Sequence, residues 1–311
     1  MDPNPVLVQD DDGGQMLQAV RAAVDEPVIG YQGADPAQRA AATILLAWPA
    51  FVADVAATLP SLRWVQSMAA GVAPLLPWLE TRPDIVVTGV RGVFGPLMAE
   101  YVLGWLCALE RRLPEYLALQ EQRGWARLPA RSLRGRRMAV LGLGDIGRHV
   151  ARVARSFGIH VVGVTRGGRS DAAADVVHPA DRIVTAVAGA DYLVSVLPDT
   201  VATRGLVDAE VLGALARDAI FVNVGRGTVL DDDALLAALA TGALQAAVLD
   251  VFREEPLPAE HPFWTTPGVH VTPHVSAPSL PEDIAAVFAA NLARWRRGRP
   301  LADVVDPARG Y

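Results

Sequence analysis

Met138-Ala139-Val140-Leu141-Gly142-Leu143-Gly144-Asp145-Ile146-Gly147 reads as a strand, a glycine turn and the start of a helix. Gly142 permits a tight turn, Gly144 lets the backbone approach a pyrophosphate, and Gly147 lets the helix pack close to the strand. The free amides and the dipole at the helix start then favour phosphate. A lone GxGxxG is weak, but here a strand precedes it, a helix follows, and a second apolar strand comes next at 160–164. The stretch predicts a dinucleotide-binding domain.

The alternation extends both ways from this turn. Strands are predicted at 138–141, 160–164, 192–196, 220–224, 246–249 and 269–272, with helices at 146–157, 180–188, 208–216 and 232–240 between them. Six strands with intervening helices match a doubly wound sheet. Upstream, strands at 6–9, 28–31, 44–48, 64–67 and 85–88 alternate with helices at 15–24, 49–58 and 74–79. That pattern again argues for a parallel sheet covered on both faces. A long apolar helix at 96–113 and an irregular, arginine-rich connection at 122–137 follow. A last amphipathic helix, 281–297, ends in Arg294, Arg296 and Arg297, which suit its C-terminal dipole.

Composition narrows the chemistry. The 311 residues suggest about two domains, and 51% apolar content supplies two cores. A net charge of −6 makes nucleic acid and anionic membranes poor partners. All 28 basic residues are arginine, which removes Schiff-base chemistry, pyridoxal phosphate attachment and a Walker-type lysine. The single cysteine, Cys107, lies in an apolar run and is expected to be a buried small hydrophobe. It makes no intramolecular disulfide and no CxxC zinc site; no metal is expected, and a reducing cytoplasm is. Met1-Asp2-Pro3-Asn4-Pro5 lacks a basic region with an apolar stretch behind it, so no signal peptide is expected. The apolar window 40–59 contains Pro49 and Asp54 and reads as a buried strand and helix, not a membrane span.

Three side chains carry the expected reaction. Arg226 directly follows a strand and sits between Gly225 and Gly227, which would free the backbone and clear space for a substrate carboxylate. His274 follows the last strand, at the edge where ligands bind in such sheets. Glu255, before Pro256, would hold the imidazole and favour its protonated form as a proton donor; Glu254 is adjacent and easily confused with it. An arginine clamp with a histidine–carboxylate pair beside a dinucleotide suits hydride transfer to a small 2-oxo acid, or from a 2-hydroxy acid. The end of the second strand selects the cofactor. It reads Thr165-Arg166-Gly167-Gly168-Arg169, with no acid for a ribose 2′-hydroxyl and two arginines for a 2′-phosphate. NADP(H) is therefore preferred, with NAD(H) also usable.

The chain resembles the D-isomer-specific 2-hydroxyacid dehydrogenase family. The resemblance rests on Gly142-Leu-Gly-Asp-Ile-Gly147, Leu197-Pro198, Asn223-Val-Gly-Arg226-Gly227, Leu249-Asp250-Val251-Phe252, Glu255-Pro256-Leu257-Pro258 and Thr272-Pro273-His274-Val275-Ser276. The N-terminal half matches more loosely, through 64–72 and Met98-Ala-Glu-Tyr101, and length and order resemble the glyoxylate/hydroxypyruvate reductase branch. The resemblance implies two doubly wound parallel-sheet α/β domains, a Rossmann cofactor domain (104–278) inserted into a flavodoxin-like substrate domain (1–103 and 279–311), with the binding cleft between them. It implies a homodimer built partly on the long helix and the Trp125 arm. Backbone amides at Ala70, Gly71 and Val72 would join Arg226 and His274 in binding the substrate. The cofactor would meet Gly142, Gly144, Asp145, Ile146, Gly147, Thr165, Arg166, Arg169, Leu197, Pro198, Thr203, Val224, Gly225 and Asp250, the last at the nicotinamide carboxamide. Ala73 departs from the acidic residue that many relatives carry there. Two rival functions fit less well: a dehydrogenase of larger apolar acids, its pocket lined by Trp48, Phe94, Met98 and Trp295, and a non-enzymatic dinucleotide-sensing interaction protein.

Overall fold

The computed structural model describes residues 4–10 and 13–307; residues 1–3, read above for a leader, lie outside them. Two compact units emerge, Met1–Val93 with Ser279–Tyr311, and Phe94–Pro278.

The first unit runs β1 (Val6–Val8), α1 (Gln15–Ala23), β2 (Val28–Gly30), α2 (Pro36–Ala41), β3 (Ile44–Ala47), α3 (Val52–Ala56), β4 (Trp64–Ser67), α4 (Leu76–Thr81) and β5 (Val86–Thr88). Its strands are parallel in the order β2-β1-β3-β4-β5, the flavodoxin-like arrangement. One face packs Leu7, Leu45, Val65 and Val87 against Val52, Leu59 and Leu75. On β4, Trp64 stacks on Phe288 and Trp295 at 5.4 and 5.6 Å, so the C-terminal helix returns to this unit. Helix α2 was not expected. Its signal was present in Asp35-Pro36-Ala37-Gln38: the Asp35 carboxylate accepts from the Gln38 amide, and the Gln38 side chain accepts from the Asp35 amide.

The second unit runs α5 (Phe94–Glu110), α6 (Leu113–Glu121), β6 (Arg137–Leu141), α7 (Asp145–Ser156), β7 (His160–Thr165), β8 (Val176–Pro179), α8 (Ile183–Val187), β9 (Tyr192–Ser195), α9 (Ala209–Gly213), β10 (Ala219–Asn223), α10 (Asp232–Ala240), β11 (Leu244–Leu249) and β12 (Val269–Val271); α11 (Pro281–Arg296) belongs to the first unit. The parallel order β12-β11-β10-β9-β6-β7-β8 reverses between β6 and β9, as in a Rossmann sheet. Alternate residues feed two cores. Met138, Val140, Tyr192, Val194, Ile220 and Val222 face α5 and α7, while Ala139, Leu141, Leu193, Phe221 and Leu249 face α8 to α10. Burial on both sides explains why these strands read as unbroken apolar runs.

Three expectations shift. The sheet has a seventh strand, β8, whose Val176-Val177-His178-Pro179 is too short and mixed to stand out. The long helix ends at Glu110, and a further helix, α6, follows it behind Arg112, which takes a left-handed φ of 59°. The first unit boundary falls at 93/94 instead of 103/104, since Met98, Ala99, Val102 and Leu103 sit in the core of the second unit. Cys107 is only partly buried, and that burial pushes its thiol up. Among the described residues no helix is long and apolar enough to cross a membrane.

A buried carboxylate joins α5 to the sheet. Glu110 accepts two bonds from Arg131, at 2.7 and 2.9 Å, and one from the Tyr192 hydroxyl at 2.9 Å. Burial and the neighbouring Glu110 charge push the Tyr192 phenol well above its ordinary value, so it stays a donor. Replacing Glu110 by alanine leaves the Tyr192 hydroxyl without its acceptor and Arg131 with only the Asp218 carbonyl and the Gln245 side chain. We expect a loss of about 2–4 kcal/mol in urea-denaturation stability, less than for a fully buried pair because Arg131 is partly solvated. An unchanged midpoint would deny the clasp any energetic role.

Candidate active site

All strands of the second unit are parallel, so their carboxyl ends share one edge. The glycine turn, the ends of β7 and β9, the Arg226 turn, the loop after β11 and the exit of β12 all lie along it. Ligands bind at this edge in open α/β sheets, near the order reversal.

The turn after β6 is built for an anion. Gly142 sits at φ 95°, and a β-carbon on Gly147 would lie 1.8 Å from the Gly142 carbonyl oxygen. Helix α7 can start here only because Gly147 has no side chain. Gly144 is the contrast, with nothing within 4 Å of a β-carbon. That open space, beside the first amides of α7, fits a pyrophosphate. Asp145 and Ile146 form the first turn of α7. Leu197 lies beside both glycine turns: its side chain would meet a β-carbon on Gly142 at 3.2 Å, and its carbonyl oxygen one on Gly225 at 2.5 Å.

At the end of β7, the Thr165 hydroxyl accepts from the Gly168 amide at 3.0 Å and folds the turn that presents Arg166 and Arg169, both exposed. Arg148 on α7 pairs with Asp171 at 2.5 Å, tying the following loop down. No carboxylate ends the strand. Thr203, expected at the cofactor, donates to the Pro198 carbonyl at 2.6 Å and closes its own loop. The side chain of Val224 lies in the core, leaving its backbone alone to face a ligand.

Arg226 is half-buried. Its glycine neighbours do something other than clear space for substrate. A β-carbon at Gly227 would fall 1.9 Å from the Phe252 backbone, so the residue is a point of close chain approach. Asn223, unremarked as a functional residue in the sequence, fixes the turn: its side chain accepts from the Gly225 amide and donates to the Arg226 carbonyl. A buried asparagine two residues before a glycine was the available signal. Burial lowers the Arg226 guanidinium from its ordinary value, and the charges of Glu255 and Asp199 oppose this.

The expected pair is formed. His274 Nδ1 lies 2.8 Å from Glu255 Oε2, and Glu255 Oε1 accepts from the Phe252 amide at 2.8 Å. Burial would raise the Glu255 carboxyl. The His274 and Phe252 hydrogen bonds, with the charges of His274 and Arg226, outweigh it and hold the group below its usual value. Glu254 makes no such bond to the imidazole. With Nδ1 engaged, Nε2 is the nitrogen left for a substrate.

Asp250, expected at the nicotinamide carboxamide, is 0% exposed. Its carboxylate accepts from the Thr272 hydroxyl at 2.6 Å and from the Val275 and Ser276 amides at 2.9 Å, and its carbonyl accepts from the His274 amide at 2.9 Å. Thr272 in turn contacts the Tyr101 hydroxyl at 2.5 Å. The Thr272 proton goes to Asp250, so Tyr101 is the donor, and burial pushes its phenol up to about 12. Asp250 therefore shapes the turn that carries His274, which sits at φ 54°.

In the first unit, Ala70, Gly71 and Val72 follow β4 in a loop tied by Ser67, whose hydroxyl accepts from the Ala69 amide at 3.1 Å and donates to the Ala69 carbonyl at 2.9 Å. Of the residues weighed for a larger pocket, Phe94 and Met98 are buried core, and Trp295 is engaged with Trp64.

Comparison with known proteins identifies the family. The profile of the D-isomer specific 2-hydroxyacid dehydrogenase family, NAD binding domain, matches residues 103–276. Glyoxylate/hydroxypyruvate reductase A of Serratia proteamaculans is 34% identical over 80% of this chain and 82% of its own. A D-isomer specific 2-hydroxyacid dehydrogenase family protein from Aeromonas salmonicida superposes with a TM-score of 0.90 at 40% identity, covering 98% of this chain and 99% of that one. The NADPH-dependent glyoxylate/hydroxypyruvate reductase from Sinorhizobium meliloti, solved with NADP and sulfate, gives 0.86 at 29%, covering 99% and 100%.

The glycine turn yields a paired test. Gly144→Ala should keep wild-type stability and weaken dinucleotide binding by about tenfold, the value of one good contact. Gly147→Ala should destabilise the fold by about 2 kcal/mol or more, from the overlap with the Gly142 carbonyl. Thermal melts and dinucleotide titrations read both; equal behaviour of the two variants contradicts the assignment of space at Gly144.

Proposed function

Because the chain belongs to the D-isomer-specific 2-hydroxyacid dehydrogenase family, on its glyoxylate/hydroxypyruvate reductase-like branch, we propose that it reduces short 2-oxo acids, glyoxylate and hydroxypyruvate among them, with NADPH preferred over NADH. Family membership makes it an NAD(P)-dependent oxidoreductase that uses NADP(H). The observation that carries the finer reading is the 2.8 Å contact of Glu255 with His274 Nδ1, on the same sheet edge as the half-buried Arg226.

The nicotinamide supplies a hydride for C2 of the oxo acid when the cofactor is bound. Arg226 holds the substrate carboxylate and carbonyl oxygen by charge-assisted hydrogen bonds. His274 Nε2 gives a proton to that oxygen as C2 is reduced, and Glu255 holds the ring by Nδ1 and supports its positive charge. The turn amides after β6 hold the pyrophosphate, and Arg166 and Arg169 attract a 2′-phosphate. The amides at Ala70, Gly71 and Val72 offer further carboxylate donors. The exposed apolar side chains of Leu113, Leu117 and Trp125 support a homodimer.

Two measurements test this. NADPH oxidation by glyoxylate and hydroxypyruvate should exceed NADH oxidation by at least about tenfold in kcat/KM, the worth of one charged contact, and Arg166→Ala should erode the ratio through the NADPH Michaelis constant. Equal or better use of NADH makes the two arginines solvated charges and nothing more. The pH profile is the second measurement. His274 gives a proton in reduction and takes one in oxidation, so the two directions should show opposite pH dependences. Glu255 is held below its usual value, so its contribution persists down to that lowered value and is lost only as pH falls through it. Glu255→Gln should abolish this acid limb and lower kcat; a variant with an unchanged profile removes the pair from the mechanism.

A further inference from the structure

The segment that carries Glu255, from Arg253 to His261, has no regular secondary structure. Behind it lies a cavity of about 150 Å³ lined by Gly227, Leu230, Phe252 and Phe263; four ionisable side chains that the proposed reaction does not use also line it, Glu254 and a set of three, Asp232, Arg253 and His261. Asp232, in the first turn of α10, stands between the other two. Arg253 Nε lies 3.6 Å from Asp232 Oδ2, and Arg253 Nη2 donates to the Leu230 carbonyl. His261 Nε2 lies 3.9 Å from the same Oδ2. The His261 Nδ1 accepts from the Phe263 amide at 3.3 Å, so Nε2 is the nitrogen that bears a proton toward Asp232. One carboxylate oxygen thus faces both ends of the segment, and Glu255 lies between them. Helix α10 follows the Arg226 turn, so the same short stretch of chain bears the clamp and this tether.

We propose that Asp232 is a positioning residue for Glu255, holding the 253–261 segment at both shoulders through Arg253 and His261. The role rests on the reading of Glu255 and His274 as the proton-transfer pair. Asp232 acts through Glu255 without touching substrate. Its carboxyl is pushed up by burial against the opposing charges of Arg253 and His261, as a group withdrawn from water into this cavity should be. A carboxylate fixed 2.8 Å from an imidazole loses its effect when it drifts by an ångström, and an irregular segment drifts when its tethers go.

The test is a double-variant cycle on the full chain, with NADPH and glyoxylate. Asp232→Asn keeps the side-chain shape and removes the charge. It should lower kcat about 5–10-fold while the Michaelis constants for NADPH and glyoxylate stay within about twofold. Glu255→Gln should lower kcat further, and the double variant should match Glu255→Gln alone within about twofold, because the tether has nothing left to position. A wild-type kcat in Asp232→Asn overturns the proposal, as does a double variant that shows both losses in full. So does a loss carried by the Michaelis constants alone. A wild-type kcat in Glu255→Gln instead overturns the proton-transfer reading on which the proposal rests. Where Asp232→Asn does not yield folded protein, His261→Gln and Arg253→Gln enter the same cycle, with the same outcomes deciding.

Discussion

A buried carboxylate, Asp250, dictates where the histidine of this site stands. Just past the end of β11 and out of contact with water, it must find hydrogen-bond donors or cost the fold heavily. It finds them in the turn leaving the neighbouring strand, through Thr272, Val275 and Ser276, and its own carbonyl takes the His274 amide. Tyr101 adds a contact from α5 to Thr272. The His274 ring is placed by backbone and buried polar groups before Glu255 touches it, which keeps a side chain that is half in solvent from wandering.

Glu255 then serves two neighbours. It bonds the imidazole directly, and its charge favours the ionised form of Arg226, whose guanidinium is otherwise penalised by burial. Asp199 adds to that support while bonded to Arg204 at 2.8 Å. The edge of the sheet is thus a balance of a few charges on separate loops, and each loop needs its own anchor: Asn223 for the arginine turn, Thr165 for the arginines after β7, Asp250 for the histidine.

What was legible in the sequence follows from this division. Parallel strands buried on both faces leave apolar runs that can be counted, and the glycine turn, Arg226, Glu255 and His274 are marked by strand ends and flanking glycines or prolines. Short or edge elements were harder. Strand β8 pairs on one side only and carries His178 and Pro179, and the break at Arg112 depends on one backbone angle that no composition signals. The anchors were harder still. Asn223 and Asp250 stand in the recognised motifs, but their partners are set by three-dimensional proximity: Asp250 joins Thr272 across 22 positions, and Tyr101 joins it across 171. The resemblance named Asp250 for a ligand; its bonds to the His274 turn come to light only in the folded chain.

The left-handed backbone of His274 has a consequence for dissecting the site. At φ 54° a residue with a β-carbon is strained, and histidine and asparagine tolerate this region better than alanine does. Alanine at 274 therefore removes the imidazole and also tempts the turn to relax, pulling on Asp250 and Ser276. Asparagine removes the proton donor and leaves the chain in a conformation it accepts. Comparing the two separates chemistry from architecture at a position where one residue supplies both.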